Sequence, residues 1–288
     1  MATSAPQATG SLAEQRRRRS VGRIVLYVVM TLAALMFMMP FFLMLSSAFK
    51  PYAEILRIPP TLFPQNPTVD AFVTVVQDAP FFTWFGNSVI VSLSVTGLVL
   101  MTSSLAGYIF AKFDFPGRQV IFVILLTTMM VPFPVLLIPT YLVVNELGLI
   151  NSLWALIVPG MASAFGIFLM RQFIQGLPTD LIEAARLDGA SEWAIYARIV
   201  VPLARPPMAA LGIFTFLASW NDYLWPLIVI NEIEKSTLPL ALTFFNNQYV
   251  QRYDLIMAAA SLSVIPVIIV FLLFQRQIVN ALVLAGMK

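Results

Sequence analysis

Six apolar runs succeed one another along this chain, at 24–46, 88–111, 120–144, 153–170, 207–230 and 256–274. Each is close to the ~20 residues that a helix needs to cross the hydrocarbon of a bilayer. Between the fourth and fifth lies the one sizeable polar stretch that separates two long apolar runs, PTDLIEAARLDGASEWAIYARIVVPLARPP (178–207). Hydrophobic residues make up 59% of the chain and charged residues 11%, against about 25% charged in soluble domains. Lipid must cover that excess, so the expected fold is an all-α polytopic membrane protein with six transmembrane helices.

What is missing narrows the chemistry. Cysteine and histidine are both absent, which removes Cys/His and Ser/His nucleophile pairs, HExxH zinc sites and the usual base near neutral pH. The six runs hold one acidic residue, Asp222, and no lysine, so an intramembrane enzyme has little to work with. Nor is there a GxxxxGK[ST] loop to hold nucleotide phosphates. The chain is expected to be no enzyme, with no metal or cofactor of its own.

Topology follows from the cationic residues. With six spans, one side carries 13 lysines and arginines and the other only Lys50, Arg57, Lys235 and Arg252. Both termini and the polar stretch are therefore expected in the cytoplasm. The net charge of +3 is explained by this bias and implies no nucleic acid. Residues 1–22, with the run Arg16–Arg19, read as a basic, disordered tail before a transmembrane domain over 23–288. The first run is too long for a signal-peptide core and reads as an uncleaved anchor. On the opposite side, prolines at 51, 59, 60, 64 and 67 keep residues 50–68 extended, and VDAFVTVVQ reads as a short amphipathic helix along the membrane surface.

The polar stretch is punctuated for two helices and a tight turn. Pro178 and Asp180 open the first, and Asp180 with Glu183 has capping-box spacing. Asp188-Gly189 suits a left-handed turn. Ser191 can cap a second helix whose Trp193, Tyr196, Ala197 and Val200 share one face, and Pro202 stops it. Pro206 and Pro207 then suit the start of the fifth span. An ordinary surface hairpin and a docking device are both compatible with this pattern.

Glu183–Pro206, EAARLDGASEWAIYARIVVPLARP, resembles the EAA loop of bacterial ABC importer permeases, in the LDGA form of the carbohydrate-uptake branch. FTWFGNSVIVSL (82–93), FPGRQVIF (115–122), MVPFPVLLIPTYLVVNELGLINS (130–152), WNDYLWPL (220–227) and FQRQIVNAL (274–282) agree in order and spacing. The chain is most similar to the second, six-span permease of maltose and glycerol-phosphate type systems. The resemblance implies a type I ABC importer permease fold whose cytoplasmic coupling helix docks on an ATPase. Carried over, Glu183, Ala184, Ala185, Asp188, Gly189 and Ala190 form the ATPase-coupling surface, with Asp188 holding the turn and Trp193 and Tyr196 packing on the chain's own spans. It also implies a second homologous permease subunit, two ATPase subunits that carry ATP and magnesium, and an extracytoplasmic solute-binding protein. The solute is expected to be a sugar or sugar-like, with glycerol phosphate, a polyol or an amino acid as the alternative.

Two further sets of residues stand out inside the spans. Trp220, Asn221, Asp222 and Tyr223 combine aromatic rings with polar groups well inside the fifth run, as a translocation path or as an interfacial belt with a packing role for Asp222. Pro132, Pro134 and Pro139 interrupt the third run, as a gate or as packing kinks. The small residues Ser92, Ser94, Gly97, Ser103, Ser104 and Gly107 of the second run are expected to permit close helix packing.

Overall fold

The computed structural model describes residues 9–245 and 252–286, with side chains over 22–245 and 252–275. Every regular element among them is helical. In chain order they are α1 (Thr9–Ala48), α2 (Tyr52–Ile55), α3 (Asp70–Gln77), α4 (Phe81–Lys112), α5 (Arg118–Thr128), α6 (Phe133–Glu146) and α7 (Leu153–Ile157). There follow α8 (Ala164–Gln175), α9 (Thr179–Leu187), α10 (Glu192–Leu203), α11 (Arg205–Trp220), α12 (Leu224–Val229), α13 (Leu238–Ala241) and α14 (Tyr253–Gly286).

The first, second and sixth apolar runs are unbroken helices, and all three are long and apolar enough to cross a membrane. The other three are each divided. The third run is α5 and α6, bent by 104°. The fourth is α7 and α8, separated at 158–163, and the fifth is α11 and α12, separated at 221–223. Among the described residues three helices are long and apolar enough to cross a membrane, or up to five if each bent pair is one span, against the six spans expected. The third, fourth and fifth runs are not single rods.

The helix α4 is the spine. Along one side α8 packs against it so closely that a Cβ on Gly107 would lie 2.6 Å from the Met170 Cβ and 2.9 Å from the Arg171 backbone nitrogen. Gly166 of α8 repays the approach by meeting Ser103, itself fully buried. Ser92, Ser103, Ser104 and Gly107 therefore serve the close packing that small residues allow. Gly97 does not, since it is exposed with nothing within 4 Å of a Cβ placed there, and Ser94 is half-buried. Near the other end of α4, Phe81 and Trp84 join Phe216, Trp220, Leu255 and Ala258 in a second core cluster.

α1 begins at Thr9, within the basic tail, where LAEQRRRR is rich in good helix formers. Residues 1–8 lie outside the described residues. α3 forms as expected. Ala71 and Val75 are buried against the chain's own core beside α14, an apolar face that a partner helix already covers.

Beyond the end of α1, the 50–68 connection is organised around a buried carboxylate. Glu54 Oε1 accepts from the Gln65 backbone N–H and the Thr61 hydroxyl, both at 2.9 Å, and Oε2 accepts from the Asn66 N–H at 3.4 Å. Lys50 Nζ donates to the Thr61 carbonyl at 2.5 Å. These bonds give the proline-rich stretch a fixed shape where proline cannot provide backbone donors. They also hold the Glu54 carboxyl below its usual range, chiefly through the Gln65 N–H, which favours the ionised form.

Candidate functional site

The polar stretch folds as a hairpin, α9 and α10, at the end of α4 opposite the Glu54 loop. α9 starts directly after Pro178, which makes no side-chain cap. The expected Asp180/Glu183 capping box does not form, because the helix starts at Thr179 and Asp180 lies inside its first turn, past the N-cap. The helix ends as foreseen: Gly189 takes φ +80°. Its N–H donates to the Arg186 carbonyl and the Ala190 N–H to the Ala185 carbonyl, both at 3.0 Å. This paired pattern closes a helix on a left-handed residue, which glycine supplies without strain. The backbone holds this turn. Asp188 contributes through its N–H, which donates to the Ala184 carbonyl at 3.0 Å.

Ser191 caps α10, accepting from the Ala194 N–H at 3.3 Å. Pro202 does not stop the helix. Residues Tyr196–Val200 widen into a π-turn, with the Val201 N–H reaching the Tyr196 carbonyl, and this slack lets the proline ring pass. The chain then turns by 78° between α10 and α11.

The hairpin is bolted to α4 by polar contacts. The Tyr108 hydroxyl donates to Glu192 Oε2 at 2.8 Å, and the Tyr196 and Ser104 hydroxyls meet at 2.7 Å in a buried setting. Lys112 Nζ donates to the Leu177 carbonyl at 2.7 Å. Arg186 Nε reaches Glu192 Oε1 at 2.6 Å, tying α9 to α10. That bond raises the Arg186 pKa above its ordinary value. Ile182, Ile195, Tyr196 and Val200 are buried against the span core. Tyr196 thus packs on the spans as expected, whereas Trp193 does not. It is 63% exposed and leans on the Tyr196 ring at 5.2 Å.

The other face of the hairpin is bare. Glu183, Ala184, Asp188 and Gly189 are exposed, Ala185 and Ala190 half-buried, and Leu187 is 89% exposed. Glu183 has no ion-pair partner among the described residues. The sequence reading passed over Leu187, although its place between two small residues and an Asp-Gly turn marks it as a protruding apolar tip.

In the membrane segments the candidates separate. Trp220 ends α11 inside the core, stacked on Phe216 at 5.6 Å and edge-on to Phe85 at 5.8 Å. Asn221 and Tyr223 are exposed and Asp222 half-buried. All three sit in the break before α12, where Asp222 Oδ1 accepts from the Trp225 N–H at 3.4 Å. Pro132 and Pro134 stand at the start of α6, just after the bend, and Pro139 is within that helix. The break at 158–163, which contains the turn dipeptide Pro159-Gly160, lies beside the middle of α4: Thr102 Oγ1 donates to the Met161 carbonyl at 3.0 Å.

The half-helices beyond these breaks are joined to one another. Trp225 Nε1 donates to the Ala155 carbonyl at 2.9 Å, linking α12 to α7. Asn151, at φ +60°, accepts through Oδ1 from the Asn231 and Glu232 N–H groups at 3.1 Å, and its Nδ2 donates to Glu232 Oε1 at 2.6 Å. The half-helices on the hairpin side, α5, α8 and α11, pack around α4 and each other instead.

Residues 103–283 match the family described as the binding-protein-dependent transport system inner membrane component. The chain is 38% identical over 272 residues to the arabinooligosaccharides transport system permease protein AraQ of Bacillus subtilis (strain 168), spanning 93% of this chain and 97% of that one. It is 37% identical to the lactose transport system permease protein LacG of Rhizobium radiobacter, over 92% and 96% of the two chains. A crystal structure of a bacterial ABC transporter involved in the import of the acidic polysaccharide alginate superposes with a TM-score of 0.80. That match covers 94% of this chain and 99% of its counterpart at 24% identity, which is a likeness of fold.

Proposed function

Because the chain belongs to the family of binding-protein-dependent transport system inner-membrane components, we propose that it carries a sugar or sugar-like solute into the cytoplasm as one half of an ATP-driven importer's membrane pore. It is a multi-pass transport subunit, not an enzyme. ATP and magnesium belong to two partner ATPases, and a second homologous permease completes the pore. An extracytoplasmic binding protein delivers the solute. The excess of lysine and arginine on the hairpin side supports a cytoplasmic position for that side and for both termini.

The exposed tip of the hairpin carries this reading. Leu187 in water forgoes about 1.5–3 kcal/mol of the burial free energy available to a leucine, and a partner surface that covers it recovers this. Ala184 and Gly189 keep the surroundings low, and Glu183 offers a free charge. Closure of the ATPases would push this tip. The push enters α4 through Tyr108 and Tyr196, and α11 through the bend after Leu203. The linked half-helices α6, α7 and α12 then form a natural gate, because the breaks beneath them are where the backbone can flex. Asn221, Asp222 and Tyr223 at one break suit contact with a polyhydroxylated solute, while Trp220 holds the packing.

Gly189→Asp and Glu183→Lys test the coupling in proteoliposomes holding the whole complex. Both variants should insert and assemble, yet lose uptake while ATP hydrolysis continues or ceases to respond to loaded binding protein. Uptake at the unaltered rate by a well-assembled Gly189→Asp complex would overturn the docking assignment.

A further inference from the structure

We infer that the loop at the far end of α1 is a lipid anchor, seating Leu62 and Phe63 among the acyl chains at that membrane interface. The inference rests on the reading of residues 24–46 as a membrane span. Counting from Arg23, the last of the basic residues, Ser46 lies about 34 Å along the helix and Phe42 about 28 Å, against a hydrocarbon thickness of ~30 Å. Ser46 therefore stands just outside the apolar zone and Phe42 just inside it. The loop is pinned to both levels. The Ser46 hydroxyl donates to the Leu62 carbonyl at 2.5 Å, and the Phe63 ring sits edge-on to Phe42 with centroids 5.5 Å apart.

Along 62–63 the chain thus descends about one helical turn, ~6 Å, back toward the membrane centre. Phe63 is nevertheless 69% exposed, and Leu62 and Ile58 are exposed beside it. Arg57 is the one charged residue from 56 to 64, and it donates to Gln65 Oε1 at 2.7 Å. A large aromatic side chain at that depth, touching its own protein at the Phe42 ring but otherwise uncovered and continuous with the exposed apolar side of α1, is where lipid must be. The Glu54 network fixes the loop in this posture, so the anchor is preorganised.

The test uses single cysteines in the full chain, which has none of its own. Positions 63, 62, 66 and 35 each carry an environment-sensitive fluorophore in the complex reconstituted in liposomes. Nitroxide-labelled phospholipids and aqueous iodide serve as quenchers. Leu35, 63% exposed in the middle of α1, reports the span itself, and Asn66 reports water. Labels at Phe63→Cys and Leu62→Cys should be quenched several-fold more by shallow nitroxide lipids than the label at Asn66→Cys, and several-fold less by iodide. If the Leu35→Cys label is quenched by lipid but those at 62 and 63 answer to iodide, the anchor is refuted while the span stands. Shielding of both from either quencher means that a protein partner covers them, which also refutes it. A Leu35→Cys label insensitive to lipid would bring down the span reading, and the anchor with it.

Discussion

The same substitution at two positions of α4 separates helix propensity from helix packing. Glycine inside a helix costs about 0.5–1 kcal/mol relative to alanine, and this gain applies equally to Gly97→Ala and Gly107→Ala. At Gly97 nothing lies within 4 Å of the new methyl, so the gain stands alone. At Gly107 the methyl arrives 2.6 Å from the Met170 Cβ and 2.9 Å from backbone nitrogen, where carbon contacts prefer about 3.5–4.0 Å. Neither neighbour is a flexible tip, so α4 and α8 must part by roughly 1 Å, and overpacking of that kind costs about 1–3 kcal/mol. The propensity term cancels between the variants. Their stabilities should therefore differ by about 1–3 kcal/mol, a factor of roughly 5–150 in the unfolding equilibrium. Reversible unfolding of the purified chain in detergent micelles, followed by tryptophan fluorescence, measures the difference. Equal stabilities would show that the α4–α8 seam is looser than described, and that the hairpin does not bear on a rigid spine.

Other outcomes follow from single contacts. Tyr196→Phe removes the hydroxyl that meets Ser104 in a buried setting, which should cost about 1 kcal/mol and loosen the hairpin, read as faster hydrogen exchange over 178–203 with the spans unchanged. Asn151→Ala deletes three hydrogen bonds and leaves a left-handed backbone to a residue that resists it, so exchange should rise across 149–152 and 229–232 together. Because the Glu54 carboxyl is held below its ordinary value, its contribution to the order of the 50–68 loop is present above about pH 4.3 and is lost as pH falls through the lower folded value. Exchange across that loop should rise only in acid, and Glu54→Gln should abolish the pH dependence.

The sequence was most readable where one local rule decides the structure. Apolar runs located the membrane segments, and Asp188-Gly189 located the hairpin turn, since a left-handed residue admits few alternatives to glycine. Ser191 announced its cap. The reading failed where several groups share a decision. Pro202 should have ended α10, but a widened turn upstream absorbs it, and nothing local in YARIV distinguishes that from a regular helix. Trp193 shares a helical face with Tyr196, yet only Tyr196 finds a place on α4, because the face is wider than the groove that receives it. The break at 158–163 holds Pro159-Gly160, a turn dipeptide that the reading passed over, whereas the break at 221–223 lies where Trp225 bonds the Ala155 carbonyl from afar. Trp220 looked like part of a path because tryptophan next to Asn-Asp suits sugar. Burial against Phe216 and Phe85 could not be read from its neighbours in the chain.

A cysteine placed at Leu187 asks the central question most directly, since the chain carries no other thiol. In the assembled, transporting complex that position should resist a water-soluble maleimide and form a disulfide with a cysteine introduced on the ATPase surface, while the separated chain reacts freely. A Leu187→Cys thiol that stays fully reactive throughout ATP-driven uptake would contradict the account, because the exposed leucine would then have no partner.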